Sequence, residues 1–413
     1  MTSAQIACRR AAFACTFGAA TAVLFSVAVC QILMALALAA LLLSGDRLRF
    51  PPVRIPLLLF VAGTVVSMAF SADPAAGRPQ IRKFFVYLML LLVVSVFREL
   101  KQIRWLVMAW AVVAGASASA GLVQLYHKWQ GAQAAGAPFY EYYVGERISG
   151  FMSHWMTFGG QIMMAGLLLA AFVFFAPEAR RRFALWLICG GLILLAILAG
   201  FTRSIWLATA IGGLCLVGSW RPKLLFVAPV VLALGVWLGP EPVRARITSV
   251  FVPHGETDSN QHRVICWRTG WEMIKAHPWL GLGPELVKER FDEYVPADIS
   301  RPLPEGWYGH LHNVPIHYAA ERGVPTALFF LWLLGKMLFD FIQGLRRQRC
   351  AEGRYILHGA VAVVLAILAA GIFELNLGDT EVLTMFLAIA GCGYVVLEQA
   401  RGNGAAAGAG GTA

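Results

Sequence analysis

The chain has 413 residues, 59% of them hydrophobic and only 14% charged, with a formal net charge of +11 and a mean hydropathy of +0.67. That balance excludes a soluble globular domain and predicts an all-α polytopic membrane protein. The basic excess does not predict a nucleic-acid partner, because 18 of the 34 Lys and Arg residues lie in short clusters between apolar runs, the pattern by which cytoplasmic loops set topology.

The N-terminus opens with Arg9 and Arg10 and then an uncharged run to Ser44. The run is too long for a cleaved signal peptide and is expected to be retained. It is also too long for one crossing, since about 20 apolar residues span the hydrocarbon core. A tight turn near Val29–Gln31 would make it two. Further spans read at about 55–71, 83–97, 103–125, 155–176, 183–201, 204–219, 223–239, 313–342, 356–373 and 380–398, about 12 transmembrane helices in all. With both termini cytoplasmic, every basic cluster falls on the inner side: Arg9/Arg10, Arg47/Arg49/Arg54, Arg98/Lys101/Arg104, Arg180–Arg182, Arg221/Lys223, Arg346/Arg347/Arg349/Arg354 and Arg401.

Residues 1–240 therefore hold helices 1–9 with a short outer segment near 126–153. Residues 241–312 form one long outer segment, 313–398 hold helices 10–12, and 399–413 read as a disordered cytoplasmic Gly-Ala tail. The long segment carries five of the nine histidines and four of the thirteen tryptophans. Its interior reads helical at 263–276, where Arg263, Trp267 and Trp271 share a face, and Pro278, Gly281, Gly283 and Pro284 end that helix. Only Cys266 lies in this segment and no C-x-x-C occurs, so neither a disulfide nor a zinc knuckle is implied.

Arg203 is the sharpest single signal. In Gly200-Phe201-Thr202-Arg203-Ser204 it is the only charge between Arg182 and Arg221, so it marks the outer turn of a hairpin with almost no loop. It either snorkels to lipid headgroups or faces a cavity and binds an anion, with Thr202 and Ser204 as hydroxyl donors. Arg263 and Arg268 lie on the amphipathic helix with Trp267 and Trp271. They either meet lipid phosphate at the interface or reach toward Arg203. Guanidinium forks match phosphate oxygens bidentately, and Arg147 of the other outer segment is a third candidate; its alternative is a loop ion pair with Glu146 or Glu141.

His310, His312 and Asn313 end the polar segment. H-x-H on extended backbone places both rings on one side and would begin a metal site, with His317 or Asp379 as third ligand. Asn313 would cap the following helix. A histidine titrating near neutrality would instead serve as a general base. Glu374, Asn376, Asp379 and Glu381 cluster in the last outer connection, where an acid would orient a histidine or cap a helix.

Phe201-Thr202-Arg203-Ser204, Arg263-x-x-x-Trp267 with His277-Pro278-Trp279-Leu280-Gly281-Leu282-Gly283, and His310-Leu311-His312-Asn313 leading into Glu321-Arg322-Gly323 together resemble the O-antigen ligase family. This belongs to a superfamily with O-antigen polymerases and protein O-oligosaccharyltransferases. The resemblance implies a GT-C-like, metal-independent glycosyltransferase of the Gram-negative inner membrane, using no cofactor. Its donor would be undecaprenyl-pyrophosphate-linked O-antigen and its acceptor the lipid A–core oligosaccharide, joined on the periplasmic face with inversion. It implies His312 as the base and Arg203 and Arg263 as pyrophosphate ligands, with Arg147 and Arg322 as weaker matches. His310, Asn313, Trp267, Arg268 and Glu374 are supporting candidates. A polymerase or protein O-oligosaccharyltransferase would share the donor. A lipid-linked sugar flippase would also need arginines, but deep in its spans.

Overall fold

The computed structural model describes residues 2–239, 241–248, 259–304, 306–348 and 350–409. Every regular element among them is helical, as hydrocarbon solvent requires of a chain that must satisfy its backbone groups within each segment.

The first apolar run is a hairpin of α1 (Ser3–Ala22) and α2 (Val27–Leu43). Its turn lies at Val23–Ser26, earlier than the expected Val29–Gln31. Ser26 explains the shift: its Oγ accepts the Val29 N–H at 3.3 Å and caps α2, whereas Val-Cys-Gln contains no helix breaker. Next come α3 (Arg54–Ala69), then α4 (Arg78–Lys83), which runs through a 3-10 turn into α5 (Leu88–Val96). The long α6 (Leu100–Ala134) has 35 residues, so its last two turns extend into the segment expected to be loop from 126. The chain continues with α7 (Phe139–Val144), α8 (Trp155–Phe175), α9 (Phe183–Ala199), α10 (Arg203–Trp220), α11 (Ala228–Trp237) and α12 (Glu241–Thr248).

Then follow α13 (Ser259–Ala276), the single turn α14 (Leu286–Glu289), α15 (Val314–Arg322), α16 (Val324–Arg347), α17 (Ala351–Gly371) and α18 (Thr380–Ala409). The expected single span at 313–342 is thus two helices broken at Gly323, whose φ of +82° favours glycine. The helix α18 also continues through the Gly-Ala stretch expected as a disordered tail; alanine is the strongest helix former, and extending an existing helix avoids nucleation. Residues 410–413 of that tail lie outside the described residues.

Seven helical segments among the described residues are long and apolar enough to cross a membrane, with three shorter apolar helices at 27–43, 54–69 and 222–235. The most buried helices, α8, α17 and α18, form the centre. Small residues set the closest approaches there: a Cβ on Gly212 of α10 would sit 2.7 Å from Leu167 of α8 and 3.0 Å from the Ala362 carbonyl of α17.

Successive helices sort their connections to two ends. At one end lie Arg9–Asp46 (2.6 Å), Arg49–Glu398 (2.5 Å) and Arg104 with Glu178 and Glu352 (3.4 and 3.2 Å). The other end gathers the connections after α3, α6, α9, α11 and α17, and its polar face carries the site.

Candidate active site

Six segments far apart in sequence meet at that end. The α9–α10 turn supplies Arg203, the first residue of α10. Just before it Phe201 has φ +47°, a left-handed conformation costly for an aromatic residue, so the chain reverses without a loop. Arg203 Nη2 donates to Asn260 Oδ1 of α13 at 2.8 Å.

Arg147 comes from the α7–α8 connection. Its Nε donates to the Val144 carbonyl at 3.0 Å, its Nη1 reaches Thr202 Oγ1 at 3.3 Å, and its guanidinium lies over Trp155 at 5.4 Å. Glu146 pairs instead with Lys128, which replaces the expected loop ion pair. Arg263 of α13 donates to the Phe373 carbonyl at 3.0 Å.

Together with Thr202, Ser204, His262 and His312, these arginines line one cavity of about 370 Å³. Arg246 of α12 joins them, donating from Nε to the Phe201 carbonyl at 2.9 Å. Sequence reasoning missed Arg246, because it sits beside Arg244 in a polar stretch where an arginine is unremarkable. His262, also missed, packs edge-on to His312 at 4.9 Å.

The crowding of guanidinium groups shows in their acidity. Burial, with the neighbouring charges of Arg246 and Arg263, pulls Arg147 down to about 9. Burial lowers Arg263 as well, opposed in part by Glu374. Such shifts mean that burial first, and neighbouring cations second, disfavour the charged guanidinium groups, a condition that a bound anion relieves. Ser204 Oγ is buried on this cavity with no hydrogen-bond partner among the described residues.

The histidines stand on one carboxylate. Glu374 Oε2 lies 3.2 Å from His312 Nδ1, and its Oε1 lies 3.3 Å from His310 Nε2. His310 Nδ1 accepts the backbone N–H of His312 at 3.2 Å, so the neutral His310 ring must carry its proton on Nε2 and donate to Glu374. For neutral His312 the same carboxylate favours a proton on Nδ1, which leaves the Nε2 lone pair 3.4 Å from the Trp307 carbonyl, an acceptor that a proton taken up on Nε2 would then meet. The expected same-side placement of the two rings holds, with centroids 4.1 Å apart. The cause differs from the extended strand expected: His312 has φ +46°, and this left-handed kink turns its ring back beside that of His310.

Burial would raise Glu374, but the hydrogen bond from His312 and the charges of His312, His310 and Arg263 outweigh it and hold the carboxyl at about 2. Burial pushes His310 down to about 3, against the pull of Glu374, and pushes His262 to about 4 with help from His312 and Arg263.

The other expected residues divide clearly. Asn313 caps α15, accepting the Ile316 N–H at 2.9 Å and donating to the Ile372 carbonyl at 2.9 Å. Trp267 Nε1 donates to the His312 carbonyl at 3.4 Å, bracing the kink. Arg268 points away and pairs with exposed Asp298 at 2.7 Å, so it is not brought to the cavity. Arg322 is buried beside Glu321 at 2.9 Å and lines an adjoining chamber, not the arginine cavity. His310, His312 and Glu374 offer ligand atoms within 4.8 Å of one another, as do His262, Cys266 and His312; neither set includes the expected third ligands His317 or Asp379.

A protein-family model described as O-antigen ligase matches residues 188–331. The chain carries an O-antigen ligase domain. The match covers 144 of the 413 residues, and over them the chain is similar to glycosyltransferases of the O-antigen ligase and polymerase type. The domain spans α9 into α16 and so contains Arg203, Arg246, His262, Arg263, His310 and His312. Arg147 and Glu374 complete the cavity from outside it. No curated protein matches the chain.

Proposed function

We propose that the protein is an O-antigen ligase. It would transfer polysaccharide from undecaprenyl pyrophosphate to a hydroxyl of lipid A–core on the periplasmic face of a Gram-negative inner membrane. The observation that carries this reading is the convergence of Arg147, Arg203, Arg246 and Arg263 on one cavity that also holds the Glu374–His312 pair.

In this mechanism the arginines hold the donor's pyrophosphate, supported by the N-terminal amides of α10 and the Ser204 hydroxyl. His312 Nε2 takes the proton of the accepting hydroxyl. The oxygen attacks the anomeric carbon from the face opposite the pyrophosphate, the carbon–oxygen bond to phosphate breaks, and the diphosphate leaves with the electron pair. One displacement inverts the anomeric centre. Negative charge grows on the leaving oxygen beside the guanidinium groups, and positive charge on His312 beside Glu374, so both partners are placed where the transition state needs them.

The test is transfer by reconstituted protein from prenyl-linked oligosaccharide to lipid A–core. His312→Ala should abolish product while leaving expression and membrane insertion intact; retained ligation removes the base assignment. Arg203→Lys should also fail, because lysine keeps the charge and loses the fork. Full activity in EDTA is expected. Loss of activity on chelation, restored by a divalent ion, would instead assign the His310–His312–Glu374 set to a metal.

A polymerase differs only in its acceptor, so supplying further donor in place of lipid A–core separates the two by which product lengthens. A flippase would move the donor without covalent product. Its cations would line the spans, whereas the arginines here gather at one end.

A further inference from the structure

A second chamber, of about 470 Å³, adjoins the arginine cavity and shares with it a wall of Trp307, His310, Glu374, His154 and Met156. The two have opposite electrostatic character. Among the described residues, the arginine cavity is lined by four arginines and by one carboxylate, that of Glu374. The second chamber is lined by Glu285, Glu321, Glu374 and Asp379 against Lys83 and Arg322.

Even these cations are committed within the wall. Arg322 donates to Glu321 (2.9 Å) and Gln80 (3.0 Å), and Lys83 lies 3.9 Å from Glu285. The carboxylates have wall partners as well, Glu285 with Gln80 and Asp379 with Thr157, and their remaining acceptor sites suit sugar hydroxyls while their excess negative charge disfavours a pyrophosphate. A second observation points to a ligand: His317, 5% exposed, lines the chamber, and among the described residues its buried Nδ1 has no hydrogen-bond partner. A buried ring nitrogen without a hydrogen bond is costly until something fills the place. A narrow aromatic slot of about 20 Å³ adjoins the chamber between α3, the 3-10 turn before α5, α15 and the start of α18, lined by Phe60, Phe84, Tyr87, Tyr318 and Leu383 and sharing Gln80, Lys83 and Arg322 with it.

We propose that this second chamber is the acceptor-sugar subsite, taking a hydroxyl-rich, lipid-linked sugar whose apolar anchor lies toward the aromatic slot. Its hydroxyl is presented past the His310–Glu374 wall to His312. The inference rests on the transferase reading above and adds to it where the second substrate sits. Donor and acceptor are sorted by charge, the anionic leaving group to the arginines and the accepting sugar to the acidic side.

The experiment measures initial transfer rates in reconstituted membranes with each substrate varied in turn. Glu285→Gln and Asp379→Asn should each raise the acceptor KM about tenfold, the loss of a hydrogen bond to a charged group, with the donor KM unchanged. The unchanged donor KM also reports that the variant is folded. Arg147→Lys, in the arginine cavity, should act in the opposite sense, on the donor. Acceptor KM unchanged in both carboxylate variants, or a parallel rise in donor KM, overturns the subsite.

A binding readout covers the case of inactive variants: a benzophenone amino acid in place of Lys83 should crosslink the acceptor glycolipid and not the prenyl-linked donor. Crosslinking to the donor alone, or to neither, overturns the proposal. Running both arms with lipid A–core and with prenyl-linked oligosaccharide as acceptor identifies which lipid-linked sugar occupies the chamber. If wild-type protein makes no covalent product with either acceptor, it is the transferase reading that has failed.

Discussion

At the scale of single residues, the site depends on Glu374 more than on any other group it contains. In the proposed mechanism its carboxylate fixes the tautomer of His312 and stabilises the imidazolium that proton uptake would create, as an acid behind a catalytic imidazole does. Glu374→Gln should therefore lower kcat about a hundredfold with donor KM near wild type, measured by steady-state transfer. A fall in donor binding of the same size would mean that the carboxylate shapes the arginine cavity instead. The buried imidazoles set the acid stability. His310 and His262 have folded-state values of about 3 and about 4, below the ordinary 6.5. The unfolded chain thus binds more protons than the folded one between pH 6.5 and 3, and stability should fall as pH drops through that window. Glu374, held near 2, adds a further loss from about 4.5 downward. Thermal unfolding followed against pH should show this decline, and His310→Phe should flatten its upper part.

At the scale of elements, α15 is held against the segment that follows α13 rather than simply continuing into the membrane. Leu282 and Gly283 donate to the Ala320 and Glu321 carbonyls at 2.9 Å, and Val324 donates to Pro278 at 2.8 Å. This lacing requires glycine at 281 and 323. A Cβ at Gly323 would fall on the Trp279 carbonyl, one at Gly281 on the Glu321 backbone, and both residues have positive φ. Gly323→Ala should cost at least 2 kcal/mol, about the sum of strain and a lost backbone bond, read as a lower melting temperature with loss of transfer. The Pro-Gly composition of 278–284 announces a helix end, and the break at Gly323 was hidden because Val-Pro-Thr-Ala resumes an apolar run at once. Arg203 was legible because a lone charge in a long apolar run has few explanations. Glu374 was seen, but its task was undecided, since only folding brings it 62 residues back to His312. Arg246, His262 and the second chamber could not be read at all, because their neighbours come from helices distant in sequence.

At the scale of the whole molecule, the two ends carry different charge chemistry. One end binds its arginines in ion pairs such as Arg9–Asp46 and Arg49–Glu398, and the clusters around them follow the pattern of cytoplasmic loops. The other end concentrates arginines in a cavity, which fits a face where an anionic lipid headgroup is processed. Cys350, exposed in the α16–α17 connection at the first end, is a native reporter of this arrangement. In intact cells it should resist an impermeant thiol reagent, whereas a cysteine replacing exposed Asp298 at the other end should label readily. Labelling in the reverse pattern would invert the proposed topology.

The sharing of Glu374 between two imidazoles has a consequence for how this site can change over generations. Neither histidine is an independent locus: replacing His310 frees one carboxylate oxygen, which alters the tilt of His312, and replacing Glu374 releases both rings together. Substitutions at these three positions should be strongly epistatic, with double variants far less harmful than the product of the singles. A lineage drifting toward a new acceptor would keep the trio intact and diversify the chamber beyond it.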